Sequence, residues 1–174
     1  MKLFALATAG LLVVSAAATA SAQGPTDPQI ASIVVTANQV DIDAGKLASA
    51  TSKNAEVMAF AKMMVTDHTG VNKQAVALVT KLKVTPEDNP TSQSLKDGGV
   101  KNLANLKTLK GAAFDKAYID HEVAYHQQVI DAVDKVLIPN AKNAELKALI
   151  VKVRPAFLAH LDHAKMVQSA LAGK

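Results

Sequence analysis

The chain has 174 residues, no cysteine and a formal net charge of +4, and 49% of its residues are hydrophobic while only 3% are aromatic. The lack of cysteine excludes a disulfide, an iron–sulfur cluster, covalently attached haem and a thiol nucleophile, so any metal would be held by His, Asp or Glu. The basic residues form no dense run interleaved with aromatics, so the composition is not that of a nucleic-acid-binding protein.

The first 22 residues have the pattern of a secretory signal peptide. Lys2 gives a positively charged start, residues 3–14 form an apolar stretch, and Ala20-Ser21-Ala22 is a cleavage site with small residues at both ends. We therefore expect a cleaved leader over 1–22, one domain over 23–174, and a location in the periplasm or outside the cell. No later stretch approaches the roughly 18 consecutive apolar residues of a membrane span, so no span is expected after cleavage.

Capping residues and apolar periodicity predict the first two helices. Asp27 before Pro28 is typical of an N-cap followed by the first helical position, which predicts a helix over about residues 28–50. Asn54 predicts the start of a second helix. The apolar face of this second helix alternates spacings of four and three residues. It consists of Val57, Ala61, Met64, His68, Val71, Ala75, Leu78 and Leu82.

The second half of the chain predicts two further long helices after a connection. Residues 85–91 contain two prolines and predict a loop, and residues 91–110 predict a shorter helical segment interrupted at Gly98-Gly99. Helical periodicity then resumes from Ala112 to Pro139-Asn140, and again from about Asn143 to the end of the chain. These patterns predict an all-α fold, a four-helix bundle of two helical hairpins with residues 91–110 as an extra piece in the crossover.

Several polar residues lie on the apolar faces of these helices. Asp41, His68, His126 and His160 each occupy a core position on a different helix, and Glu122 precedes His126 by four residues on the same face. Buried imidazoles with a carboxylate are typical ligands of zinc, copper, nickel and ferrous iron. The sequence therefore indicates a site for one transition-metal ion, formed by the three histidines with Asp41 or Glu122. The alternative is that each histidine is a core residue bonded to a hydroxyl or a carbonyl.

Three other residues lie close to this set in the sequence. His163 follows His160 by three residues and could join it from the same helix, whereas His121 lies off the apolar face. Asp67 points about 100° away from His68 on a helix. We expect Asp67 to be either solvated or a carboxylate that orients a histidine ring from outside.

A series of motifs follows in a characteristic order along the chain. They are Asp67-His68, then Leu103-x-x-Leu106-x-x-Leu109-x-Gly111-x-x-Phe114-Asp115-x-x-Tyr118, then His126, and finally His160-Leu161 after Pro155. In this order the chain resembles the exported bacterial family called domain of unknown function 4142, which is grouped with the ferritin-like superfamily. The resemblance covers essentially all of residues 23–174 and implies a ferritin-like helical bundle outside the cytoplasm. It places Asp41 where family members typically carry a first-helix Glu, and it implies no activity.

The sequence offers little support for an enzyme. A carboxylate-bridged di-iron site needs Glu-x-x-His on two helices, but Val65, Val123 and Phe157 stand three residues before the core histidines. No nucleophile elbow and no glycine-rich phosphate loop is present, so no hydrolase is indicated.

Three hypotheses about function follow. The first is an exported protein that binds a metal in its core, for metal binding or stress protection without turnover. The second is a structural or interaction module of the cell envelope, with an unidentified protein partner. The third is a redox enzyme with a histidine-rich centre.

Overall fold

The computed structural model describes residues 24–173, and every element in that range is helical, with no strand. The helices are α1 (Asp27–Thr51), α2 (Ala55–Leu82), α3 (Pro90–Thr108), α4 (Gly111–Ala132) and α5 (Ala144–Ala172). A π-helical segment, Val133–Leu137, and one helical turn, Ile138–Asn140, extend α4. The all-α prediction is confirmed, whereas the expected signal peptide lies outside the described residues.

None of the helices within residues 24–173 combines the length and the apolar character that crossing a bilayer requires.

Helix α1 begins one residue earlier than the sequence predicts. Thr26 is the N-cap, because its hydroxyl accepts the backbone N–H of Gln29 while the Gln29 side chain accepts the backbone N–H of Thr26. Asp27, expected to be this cap, instead accepts the backbone N–H groups of Lys142 and Asn143, at 2.8 Å each. Its carboxylate therefore ties the start of α1 to the start of α5.

Helix α3 is continuous, so the predicted interruption at Gly98-Gly99 is wrong. A Cβ atom added to Gly99 would lie 2.9 Å from Cγ2 of Val40 on α1. The glycine therefore lets α3 approach α1 closely, and it does so without breaking the helix. The predicted start of α2 is confirmed, since the Asn54 side chain accepts the backbone N–H groups of Glu56 and Val57.

The four longest helices enclose a common interior. Helix α1 packs along α2, and α4 packs along α5; α2 also contacts α5, and α1 contacts α4. Helix α3 lies mainly against α1. The connection that contains α3 thus links the pair α1 and α2 to the pair α4 and α5.

Two apolar clusters fill this interior. The Phe157 cluster is Ile30, Ile33, Val34, Val71, Ala75, Ile130, Val133, Leu137, Ala141, Leu146, Ile150, Val153, Phe157 and Leu161. The Phe60 cluster is Ala44, Ala48, Val57, Phe60, Ala61, Met64, Leu106, Phe114, Tyr118, Ile119, Ala164 and Val167. Along α1, α2 and α4 the chain passes from one cluster to the other across a short stretch that carries buried polar residues, and on α5 His160 lies where the clusters meet.

Candidate metal centre

The residues between the two apolar clusters form a buried polar group, which we call the central cluster. It consists of Asp41 on α1, His68 on α2, Glu122 and His126 on α4, and His160 on α5. Each of the five is at most 3% exposed. The structure thus brings together all five residues that the sequence singles out.

The central cluster contains two overlapping groups of donor atoms. One ligand atom each from His68, His126 and His160 lie within 4.8 Å of one another, and the same holds for Asp41, Glu122 and His126. The ring centroids of the three histidines are 5.1 to 5.6 Å apart. His126 belongs to both groups and therefore joins them.

The environment of His68 fixes which of its ring nitrogens carries the proton. Nδ1 lies 2.7 Å from Oδ1 of Asn38, while the amide nitrogen of Asn38 donates to the carbonyl of Val34 at 2.7 Å. Oδ1 of Asn38 is therefore the acceptor, and Nδ1 of His68 is the donor. Nε2 keeps its lone pair, and no hydrogen-bond partner for it occurs among residues 24–173.

Hydrogen bonds also determine which ring nitrogen carries the proton in the other two histidines. Nδ1 of His126 donates to the backbone carbonyl of Glu122 at 3.0 Å, and Nε2 of His160 donates to Oδ2 of Asp67 at 3.0 Å. The lone pairs therefore remain on Nε2 of His126 and Nδ1 of His160. In the described part of the chain neither atom has a hydrogen-bond partner. Each of the three histidines thus has one nitrogen held by a protein acceptor and the other free to bind a ligand.

Burial sets the protonation of the three imidazoles. It lowers the pKa of His68 to about 2 and that of His126 to about 4, with the neighbouring histidines adding to both shifts. Burial also lowers the pKa of His160, partly offset by the hydrogen bond and charge of Asp67. All three rings are therefore neutral near pH 7, as metal ligation requires.

Burial also governs the two carboxyl groups. It raises the pKa of Asp41 to about 8, although an interaction with Glu122 partly opposes the shift. The pKa of Glu122 is raised well above its usual range by burial and then by the negative charge of Asp41. Both groups thus hold their protons near pH 7, because the imidazoles that adjoin them, His68 at 3.5 Å from Asp41 and His126 at 3.4 Å from Glu122, are themselves neutral.

The oxygen atoms of these carboxyl groups are also poorly satisfied. Within residues 24–173, Oδ1 of Asp41 and both carboxyl oxygens of Glu122 lack a hydrogen-bond partner. Unpaired buried polar atoms cost free energy, and a native structure with several in one place needs an explanation. Neutral imidazoles and carboxylates that converge in this way could hold a metal ion.

The remaining candidates lie outside this group. His163 packs against the ring of Phe60 with centroids 5.3 Å apart, so it does not join His160. His121 stacks on Tyr125 at 5.5 Å, away from the three core histidines. Asp67 lies outside the central cluster, and its carboxylate accepts a hydrogen bond from Nε2 of His160.

Sequence reasoning missed Asn38, the partner of His68. A signal was present, because Asn38 precedes Asp41 by three residues and so lies on the same face of α1. Tyr118, which the sequence shows as part of the family motif, is fully buried beside Glu122; burial and the charges of Glu122 and Asp41 raise the pKa of its hydroxyl.

These features define an all-helical protein with a buried, histidine- and carboxyl-rich centre. The family model called domain of unknown function (DUF4142) matches residues 13–167, and the chain belongs to this family. Comparison with curated proteins found no match. Comparison with solved structures found none either.

Proposed function

We propose that the protein binds one transition-metal ion in the central cluster, through His68, His126 and His160 with Asp41 or Glu122. The observation that carries this proposal is the common arrangement of the three histidines. One nitrogen of each ring donates a hydrogen bond to an oxygen atom of the protein, and the other nitrogen is buried without a partner in the described residues. Histidine ligands of metals are typically oriented in this way by an outer acceptor.

Charge balance supports a divalent ion. Binding a cation would release the protons of Asp41 and Glu122, so two carboxylates would neutralise one divalent charge inside an apolar interior. Three nitrogen donors with one or two oxygen donors suit zinc, copper, nickel or ferrous iron. With the ion bound in this way, the protein would act in metal binding or stress protection and would not need to catalyse a reaction.

The proposal also covers the fold of the protein and its location in the cell. The pairing of α1 with α2 and of α4 with α5 supports a ferritin-like four-helix bundle, with α3 in the crossover. The leader-like sequence of residues 1–22 supports export to the periplasm or beyond. The absence of Glu-x-x-His from the sequence argues against carboxylate-bridged di-iron chemistry.

The test is the metal content of untagged protein purified from the periplasm, measured by elemental analysis. We expect about one equivalent of a transition metal in the wild type and none in a His68→Ala/His126→Ala/His160→Ala variant, because the variant lacks all three nitrogen donors. His121→Ala/His163→Ala is the matched control, since it removes histidines outside the central cluster, and it should keep the metal.

Two results would overturn the proposal. One is a folded wild type that is isolated empty and takes up no metal on titration, which would favour the structural or interaction module. The other is equal metal content in the triple variant and the wild type.

A further inference from the structure

The Phe157 cluster encloses a cavity of about 190 Å³ beside the central cluster, which we call the chamber. Asn38, Asp41 and His68 line its polar end. The walls are almost entirely apolar and come from α1, α4, the π-helical segment and α5. They include Ile33, Val133, Leu137, Ile150, Val153 and Phe157.

The chamber also reaches the protein surface. Thr91 on α3 and Gln128 on α4 line it, and both residues are exposed. Leu95, one turn after Thr91, lines it too and is half-buried. A small molecule therefore has a route to the interior between the start of α3 and the middle of α4.

The volume and the lining define what the chamber accepts. An engineered apolar cavity of roughly 150 Å³ stays dry and binds benzene. The chamber is slightly larger and similarly apolar, so one six-membered aromatic ring or an alkyl chain of comparable size fills it. An apolar occupant gains contacts with walls that otherwise face empty space.

The polar end offers a ligand no hydrogen bond. Oδ1 of Asp41 and Nε2 of His68 have no hydrogen-bond partner in residues 24–173, but both atoms are inaccessible to a molecule in the chamber. The other polar groups there are satisfied, since Tyr125 donates to the carbonyl of Ala37 at 3.1 Å and Asn38 is bonded to His68 and Val34. A hydroxyl group placed in the chamber would therefore lose its hydrogen bonds to water, and a charged group would lose its hydration among apolar walls.

We propose that the chamber binds a small apolar molecule, with one aromatic ring or a short alkyl chain and no polar group. This ligand is distinct from the proposed metal ion. The apolar chamber exists in the metal-free protein and uses no proposed metal ligand, so the two proposals are tested separately.

The test uses metal-free protein with its leader removed, titrated with 4-fluorophenol and with fluorobenzene and followed by ¹⁹F NMR. The two probes have the same ring and differ by one hydroxyl group. We expect saturable binding of both at one site. Fluorobenzene should bind at least about fivefold more tightly, because the hydroxyl group of 4-fluorophenol would be buried without a partner.

A variant in which a larger side chain fills the chamber is compared with a variant that carries the same change on the surface. Ala132 lines the chamber at the end of α4, and Ala132→Leu should weaken both probes at least tenfold because the added atoms occupy their space. Ala113→Leu makes the same change at an exposed position of α4 and should leave both affinities unchanged. If circular dichroism shows that Ala132→Leu does not fold, Ala37→Leu on α1 fills the chamber from the opposite wall.

Three results would overturn the inference. They are no saturable binding of either probe by the wild type, the same affinity in the chamber-filling variant as in the wild type, and equal affinities for the two probes. The last result would mean that the chamber provides a partner for the hydroxyl group, against the assignment of an apolar occupant.

Discussion

The two apolar clusters that flank the central cluster are packed differently. In the Phe60 cluster, the side chains of Phe60, Met64, Leu106, Tyr118 and Ile119 are fully buried and interlock from three helices. The Phe157 cluster instead encloses the chamber. The central cluster is thus supported by a closely packed side and approached from an open side. A closely packed core is rigid but leaves no room for a ligand. Here the rigid part, the Phe60 cluster, and the accessible part, the chamber, lie at different positions along the helix axes.

The largest expected effect is on metal binding when the shared ligand is removed. His126 belongs to both groups of donor atoms, so His126→Ala should weaken metal binding about a hundred- to a thousandfold. Apparent binding free energies of about 10–16 kcal/mol for four-ligand zinc sites correspond to roughly 2.5–4 kcal/mol per ligand, or a factor of about 10² to 10³ in affinity. Competition with a chromophoric chelator measures the change. A loss below tenfold would show that the central cluster does not hold the ion.

The contrast between the two sides is tested directly by a pair of matched substitutions. Ile119 in the Phe60 cluster and Ile150 beside the chamber are both essentially inaccessible to solvent. Ile119→Ala should lower the free energy of unfolding by about 4 kcal/mol and Ile150→Ala by about 2 kcal/mol, because side chains that border open space lose fewer contacts. Denaturation by urea of the metal-free protein gives both values. Equal losses would mean that the two sides are packed alike.

A third prediction concerns the pH dependence of stability in the metal-free protein. The raised pKa of Asp41, about 8 instead of 3.8, means that the folded state keeps a proton that the unfolded state has released, so this group makes stability fall as pH rises from about 4 to about 8. The lowered pKa values of His68 and His126, about 2 and about 4 instead of 6.5, make stability rise with pH up to about 6.5. The contributions oppose each other at low pH, so a net decline should emerge between about pH 6.5 and 8.

Asp41→Asn provides the control for this decline. The amide resembles the protonated carboxyl group and does not titrate, so the decline above pH 6.5 should become shallower. Thermal unfolding at a series of pH values checks this. An unchanged slope in the variant would show that Asp41 is not the group responsible.

A smaller effect is expected when an outer partner is removed. Asp67→Ala leaves all metal ligands in place but removes the acceptor that orients His160. Outer partners of this kind typically contribute 10- to 100-fold to metal affinity, and we expect about tenfold because the Asp67 side chain is 43% exposed. Asp162→Ala is a suitable control, since Asp162 lies beside His163 on the exposed side of α5. Equal affinities for the two variants would contradict the assigned role of Asp67.

The sequence was sufficient for most of the helical architecture. The spacing of apolar residues by four and three located the long helices to within a residue or two at most ends, since this pattern depends only on local helix geometry. It also placed Asp41, His68, His126 and His160 on inward faces, because these residues continue the same spacing. Their convergence required the structure, since it depends on how far each helix slides along its neighbours.

The features that sequence reasoning missed depend on contacts between distant segments. Gly98-Gly99 suggests a break when read locally, but Gly99 is needed for the approach of α3 to Val40. For Asp67 the sequence left two alternatives, a solvated carboxylate or one that orients a histidine ring, and the second is the one observed, through a partner on α5. The chamber has no sequence signal at all, because an unfilled space is a property of the whole packing and not of any one helix.

The π-helical segment Val133–Leu137 has a consequence for comparing members of the family. A π-helical hydrogen bond spans one residue more than an α-helical one, so such a segment absorbs an inserted residue inside a continuing helix. A relative with one residue fewer between His126 and Pro139 would have an unbroken α-helix at this position. Because the π-helical segment absorbs the extra residue, the side chains before and after it keep the orientation that they have in the shorter helix. In an alignment of the family, a single-residue gap at this position would then mark a relative in which this part of the chamber wall is a regular α-helix.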